Sequence, residues 1–357
     1  MITHAPDAAP GLVGVATANP ATSYTQQDIL DLYRIDDERV TSLFLNGHID
    51  RRYLHVPAPG PDGVPVFESQ GELLAKHRAD GVELATQALV AFLKESGAGL
   101  DDVRYLCCVT STGAMTPGFS ARLIKELGLR VDCTRLDVVG MGCNAGLNGL
   151  NATTSWAAAN PGKLAVMVCV EVCSAAYVFD GTMRTAVVNG LFGDGAAAVG
   201  VLAGAETRAA GPRVLKFSSR IIPEAVEAMR YDWDDVQGKF SFFIDRDVPY
   251  VVGAHAEEAI DTLLDGTGLR RSDIDHWIVH SGGKKVIDAV KVNLGLEAHD
   301  LRHTTSVLRD FGNLSSGSFL FSYERLTREE LAQPGDHAVF MTMGPGSTIE
   351  TALLRWP

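Results

Sequence analysis

Residues 138–146 read VVGMGCNAG. Two β-branched residues lead into a turn bracketed by glycines, and Cys143 stands where an Asn- and Ala-rich helical run over 144–159 begins. A strand that turns into a helix is the repeating unit of an α/β layer, and the flanking chain repeats it. Apolar runs predict strands over 12–16, 105–110, 136–139, 163–172 and 196–202, with a helix over 73–94. A further helix is expected to open at Pro117 and stop at Gly128. The second half repeats the theme. Strands are expected over 274–280, 337–343 and 348–354, and helices over 285–294 and 315–326. The stretch from about 205 to 250, rich in Pro, Asp and aromatics, reads as an insertion near a site. An α/β fold of helix-covered sheets in two similar halves, 1–204 and 205–357, is the expectation.

At 357 residues the chain has length for two such units, and 46% hydrophobic against 21% charged residues excludes a disordered chain. The formal charge is −13 and no basic stripe is visible, so a nucleic-acid partner is not expected. No apolar run reaches the ~18 residues of a membrane span, and the first ten residues lack a basic-then-apolar leader. A cytoplasmic protein with no membrane partner is expected. An anionic substrate would need local positive charge or backbone donors against the global field. The six cysteines (107, 108, 133, 143, 169 and 173) form no Cys-x-x-Cys pair, so neither a zinc site nor a disulfide scaffold follows. Most read as small buried hydrophobes, and Cys143 is the exception.

Free N–H groups and the positive end of a helix favour a thiolate at Cys143, and the glycines let a substrate approach the backbone. A buried cysteine before a helix is the plainer alternative. The run WIVHSGG (277–283) delivers His280 from an apolar strand to a Gly-Gly turn, a place for a base or an oxyanion donor as well as for a structural histidine. In DFGNLSS (310–316), Asn313 is either a donor to a substrate or a cap for the helix after it. No GxGxxG or Walker pattern is present, which argues against nucleotide and nicotinamide cofactors. Together the three residues describe a Cys-His-Asn set suited to acyl transfer through a thioester.

With these residues in view the chain resembles the type III polyketide synthases, the chalcone synthase relatives of the thiolase fold. The resemblance runs nearly end to end: Ala18-Asn-Pro20, Arg51-Arg-Tyr53, Gly142-Cys143, Leu191-Phe-Gly-Asp-Gly195, His280-Ser-Gly-Gly, Gly312-Asn-Leu-Ser-Ser316 and Gly344-Pro-Gly346 stand in the family's order. The segments around Cys107, Cys143 and Thr182-Met-Arg184 are similar to the bacterial 3,5-dihydroxyphenylacetyl-CoA synthases, which draw starter and extender from malonyl-CoA. The resemblance implies an αβαβα layered sandwich of two pseudo-duplicated halves, a homodimer and no metal or other cofactor. It implies Cys143 as nucleophile, with His280 and Asn313 as donors to the thioester oxygen and to the enolate left by decarboxylation. Phe192 and Phe242 match the family's gatekeepers. Cys173 and Ala176 fall at the cavity threonines of the plant enzymes, Ser315 follows Asn313, and Met343 replaces a loop Phe. Asp50 stands where the plant enzymes carry Lys, which leaves Arg51 and Arg52 as candidates for the CoA phosphates.

Three rivals remain. A 3-oxoacyl-ACP synthase III would carry His-Gln-Ala-Asn rather than His280-Ser-Gly-Gly. A type III synthase primed by another acyl-CoA would make alkylpyrones or alkylresorcinols. A non-catalytic acyl-CoA-binding subunit would be expected to have lost its nucleophile.

Overall fold

Continuous apolar runs make strands buried on both faces, and here they assemble into one nine-stranded sheet. The computed structural model describes residues 9–180, 182–204 and 211–357. The leader expectation for the first ten residues and the expected division at 204/205 thus fall at or beyond the edge of the described residues. The strands are β1 (Gly11–Ala18), β2 (Ser23–Thr25), β3 (Arg51–Tyr53), β4 (Val103–Thr110), β5 (Thr134–Val139), β6 (Leu164–Glu171), β7 (Gly195–Leu202), β8 (Arg213–Ile221), β9 (Met229–Asp234), β10 (Lys239–Ile244), β11 (His276–Val279), β12 (His337–Gly344) and β13 (Thr348–Arg355). The helices are α1 (Gln26–Leu32), α2 (Glu38–Leu45), α3 (Gln70–Ser96), α4 (Phe119–Leu127), α5 (Ala145–Ala159), α6 (Met183–Leu191), α7 (Val248–Leu264), α8 (Lys284–Leu294), α9 (Arg302–Phe311) and α10 (Ser318–Glu329).

The large sheet runs β11-β12-β13-β8-β1-β7-β6-β4-β5. Its two halves join between β1 and β8, at the pairing of Gly11 with Arg213. Core contacts fix the layers. Leu147 and Leu150 of α5, with Phe319 and Leu320 of α10, share one core with β4, β6 and β7 on one side and β8, β12 and β13 on the other. Leu84, Ala88 and Phe92 of α3, with Leu123 of α4, cover the outer face of the first half. Val252, Ile260 and Leu263 of α7, with Ile287 and Val290 of α8, cover that of the second. The order is therefore helix, sheet, helix, sheet, helix, the thiolase-type sandwich. Each fully buried Leu, Ile or Phe contributes roughly 1.5–3 kcal/mol. Beside Leu147, Leu150 and Trp156, the central α5 is rich in Ala and Gly, whose small side chains let a helix sit between two sheets.

Local sequence explains most boundaries. Helix α3 opens on a capping box, in which Ser69 Oγ accepts from the Glu72 N–H and the Glu72 carboxylate accepts from the Ser69 N–H. Gly128 ends α4 in the left-handed conformation, as expected. The start of α4 differs: it lies at Phe119 rather than Pro117, because the Asp137 carboxylate accepts from the Ser120 N–H at 3.0 Å and anchors the first turn there. The helix expected from Ser315 opens as a 3-10 turn, Ser315–Gly317, before α10. Within the 205–250 stretch the described residues form β8, a 3-10 segment at Pro223–Ala228 and the separate hairpin β9–β10, before α7 opens at Val248.

Candidate active site

Cys143 sits in the 3-10 turn Gly142–Asn144 that carries the chain from β5 into α5. Gly142 has φ +73°, and a Cβ there would lie 2.3 Å from Pro345 Cδ. Only glycine fits both conditions. Across the turn, a Cβ on Gly344 would lie 2.9 Å from the Cys143 nitrogen, so the Gly344-Pro345-Gly346 loop is seated on the nucleophile's backbone. His280 follows β11, with its N–H donating to the Met341 carbonyl at 2.8 Å. Its ring is buried, and Nδ1 lacks a partner among the described residues. Asn313 lies between α9 and the turn before α10, and its backbone accepts from Gly193 N–H and donates to the Leu191 carbonyl, which joins it to the Phe192 segment. Its Oδ1 accepts from the Ser315 N–H at 2.8 Å and from Ser318 Oγ at 3.4 Å. Asn313 thus does cap the next turn, through its oxygen, and the Nδ2 end is left as the donor.

Cys143, Phe192, Phe242, Cys173, Ala176 and Ser315 line one cavity of about 260 Å³. The Phe192 and Phe242 rings meet edge to face, with centroids 6.0 Å apart. The thiol of Cys143 accepts from Ser315 Oγ at 3.3 Å. Among the described residues no hydrogen bond joins it to His280. The ionisation differs from expectation too. Burial pushes the Cys143 thiol up to about 12, against the opposing pull of the Ser315 hydroxyl. Burial alone pushes His280 down to about 3. The helix N-terminus was expected to favour a thiolate; desolvation outweighs it, and the His280 ring supplies no compensating charge.

Three sequence candidates lie elsewhere. Met343 is on β12 and belongs to the outer core with Val252 and Leu353, so it does not shape the cavity. Arg52 is fully buried, and its guanidinium donates to Gln26 Oε1, Tyr177 Oη and the Phe192 carbonyl. It therefore braces the segment behind Phe192 and offers nothing to a CoA phosphate. Arg51 is exposed on β3 and does not line the cavity.

The structure adds groups that the sequence did not single out. The fully buried Glu171 accepts from the Ser111 N–H at 2.9 Å, from Ser111 Oγ at 3.0 Å and from the Ser316 N–H at 3.3 Å. Ser111 Oγ also lies 2.7 Å from Ser315 Oγ, so a row of hydroxyls connects Glu171 with the Cys143 thiol. Burial raises the Glu171 carboxyl in spite of these donors. Arg230 and Tyr231 of the hairpin also line the cavity. The Tyr231 hydroxyl donates to the Ser111 carbonyl at 3.3 Å. Adjacent Ser and Thr at a strand end carry no motif, and only the pairing of β4 with β6 reveals the cluster.

Comparison with known proteins agrees with this architecture. Residues 11–206 match the family described as chalcone and stilbene synthases, N-terminal domain, and residues 215–356 match the C-terminal domain of the same family. A 3,5-dihydroxyphenylacetyl-CoA synthase from Streptomyces toyocaensis is 64% identical over 97% of this chain and 90% of its own length. One from Amycolatopsis orientalis is 62% identical over 96% of this chain and 92% of its own. Among solved structures, the C-terminal type III polyketide synthase domain of Steely1 from Dictyostelium superposes with a TM-score of 0.89 at 27% identity, covering 97% of this chain and 99% of that one.

Proposed function

The chain belongs to the chalcone and stilbene synthase family, and from that premise we propose that it condenses malonyl-CoA on a Cys143 thioester and cyclises the product to 3,5-dihydroxyphenylacetyl-CoA. The observation that carries this reading is Cys143 open to a cavity gated by Phe192 and Phe242, in a chain 62–64% identical to synthases of that name. The proton of the Cys143 thiol passes to His280 as sulfur attacks the thioester carbonyl and CoA leaves as thiolate. The transfer replaces two neutral buried groups with an ion pair, whose attraction in a low-dielectric site offsets part of the desolvation cost. Asn313 Nδ2 and the protonated ring of His280 then donate to the oxyanion. For the extender, the same donors hold the enolate that forms as CO₂ leaves, and the apolar ring pair withholds water from the carboxylate being lost. The enolate carbon attacks the Cys143-bound acyl group, the thiolate departs, and the chain has grown by two carbons.

The halves 1–204 and 205–357 divide the chemistry, the first bringing the nucleophile and the second the two donors. A homodimer is supported by β5, an edge strand paired on one side by β4, with Leu136, Val139 and Met141 exposed along and just beyond it. No helix among the described residues is long and apolar enough to cross a membrane; a cytoplasmic location and a place in antibiotic biosynthesis belong to the same proposal. The test is incubation of the purified enzyme with labelled malonyl-CoA and no other acyl donor. The expected product is 3,5-dihydroxyphenylacetyl-CoA or its acid. Turnover only after addition of a long-chain or aromatic acyl-CoA would overturn the starter assignment, and no turnover with any acyl-CoA would point to a binding subunit.

A further inference from the structure

The chain carries a formal charge of −13, yet among the described residues its catalytic cavity is lined by one cation, Arg230, and by no carboxylate. The guanidinium is held in place on three sides. Nε donates to Asp232 Oδ1 at 2.9 Å, Nη1 donates to the Glu227 carbonyl at 2.8 Å, and Cζ stands 4.4 Å from the Phe243 ring centroid. Nη2 has no protein partner among the described residues. Arg184 of α6 donates to the same Asp232, and its Cζ lies 5.2 Å from the other partner of the cluster, the Phe243 ring. Two guanidinium groups thus share one carboxylate, and the cluster keeps a net positive charge. The Arg230 side chain lines the cavity and is 38% exposed, which puts its charge where the cavity meets solvent, while Arg184, 43% exposed, stands behind it outside the lining.

We propose that Arg230, seconded by Arg184, is the anion-recognition residue at the mouth of the cavity, binding an anionic oxygen group of the incoming acyl-CoA through its unpaired Nη2 edge. The inference rests on the reading of the chain as an acyl-CoA-consuming synthase. It supplies the local positive charge that an anionic substrate needs against the global field, a role for which Arg52 is unavailable. Two groups of malonyl-CoA share the required chemistry, the malonyl carboxylate and the CoA phosphates. Arg230 is a positioning residue: it captures and orients substrate and takes no part in bond making.

The test compares wild type, Arg230→Gln, Arg230→Lys and Arg184→Gln with malonyl-CoA and with malonyl-pantetheine, which lacks the phosphates, and measures inhibition by free CoA. Arg230→Gln should raise KM for malonyl-CoA roughly tenfold, as expected for loss of a hydrogen bond to a charged group, with kcat within about twofold. Arg230→Lys should recover part of the loss, and Arg184→Gln should show a smaller rise. The wild-type KM should climb with salt more steeply than that of Arg230→Gln. A penalty that disappears with malonyl-pantetheine, together with weakened CoA inhibition, assigns the phosphates. A penalty that persists, with CoA inhibition unchanged, assigns the carboxylate. Unchanged KM and CoA inhibition in Arg230→Gln, or a loss confined to kcat, would overturn the proposal. CoA inhibition is read without turnover, so a wrong starter assignment would not hide the result, and Arg184→Gln and the salt series remain informative if Arg230→Gln folds poorly.

Discussion

The floor of the cavity and the hairpin that covers it are built on opposite principles. On the floor Cys143 and Ser315 are 6% and 3% exposed, Glu171 behind them is 0% exposed, and each is fixed by hydrogen bonds inside the layered core. The hairpin β9–β10 is a two-stranded ribbon outside the large sheet, with Tyr231 44%, Trp233 50% and Phe240 49% exposed. It is tied down by Phe242 against Phe192, by Arg184 to Asp232, and by Phe240 N–H to Gln70 Oε1 at 2.8 Å and Tyr231 Oη to the Ser111 carbonyl. A ribbon of this kind has little stability of its own. The proposed chemistry thus sits where packing holds atoms still, and the ribbon proposed to shape substrate and product selection where substitutions cost the fold little.

The largest expected effect comes from the floor. Cys143→Ala should abolish chain extension while leaving some decarboxylation of malonyl-CoA by His280 and Asn313. Condensed product at close to the wild-type rate would break the contrast at once. Next, Asn313→Ala should slow malonyl decarboxylation by about 10²–10³, and loading of Cys143 by a simple acyl-CoA far less. Equal losses in both steps would leave Asn313 with its capping role alone. On the hairpin, Tyr231→Ala should keep malonyl-CoA consumption within about tenfold of wild type while diverting product away from the 3,5-dihydroxy ring. A variant that simply dies, or one that keeps the product pattern intact, would show that the ribbon is not the selecting wall.

The smallest effect is on stability. Burial pushes His77 down to about 4 and His280 to about 3. Between those values and about 6.5 the unfolded chain binds protons that the folded chain refuses, so stability falls as pH drops below about 6.5. Each such imidazole should cost up to ~1.4 kcal/mol per pH unit. Urea unfolding at pH 7, 6 and 5 should show the decline, and His77→Gln, which leaves an amide to meet the Thr112 hydroxyl, should flatten it. A slope unchanged by that substitution would mean that His77 does not titrate as its burial requires.

The same contrast governs what the sequence disclosed. Strand β6, buried along its whole length, and the turn from β5 into α5 were legible because apolar periodicity and glycine placement encode them directly. Cys143, His280 and Asn313 each sit at the end of such an element. Arg52 misled because the sequence of an arginine does not say whether water reaches it, and here Gln26, Tyr177 and Phe192 do instead. Met343 misled because it lies on a strand one residue before the loop that touches Cys143. Glu171 and Ser111 were invisible because their meeting depends on the register of β4 against β6. The hairpin showed only as an aromatic, acidic stretch, since its strands face solvent on one side and follow no long apolar pattern.

Rapid quenching of the enzyme with labelled malonyl-CoA, followed by peptide mapping under conditions that preserve thioesters, tests the central claim most directly. The expected result is label held as an acyl thioester on the peptide containing Cys143, appearing before free product and absent from Cys143→Ala. Label on another cysteine, or product formed with no acyl-enzyme at any time point, would contradict it.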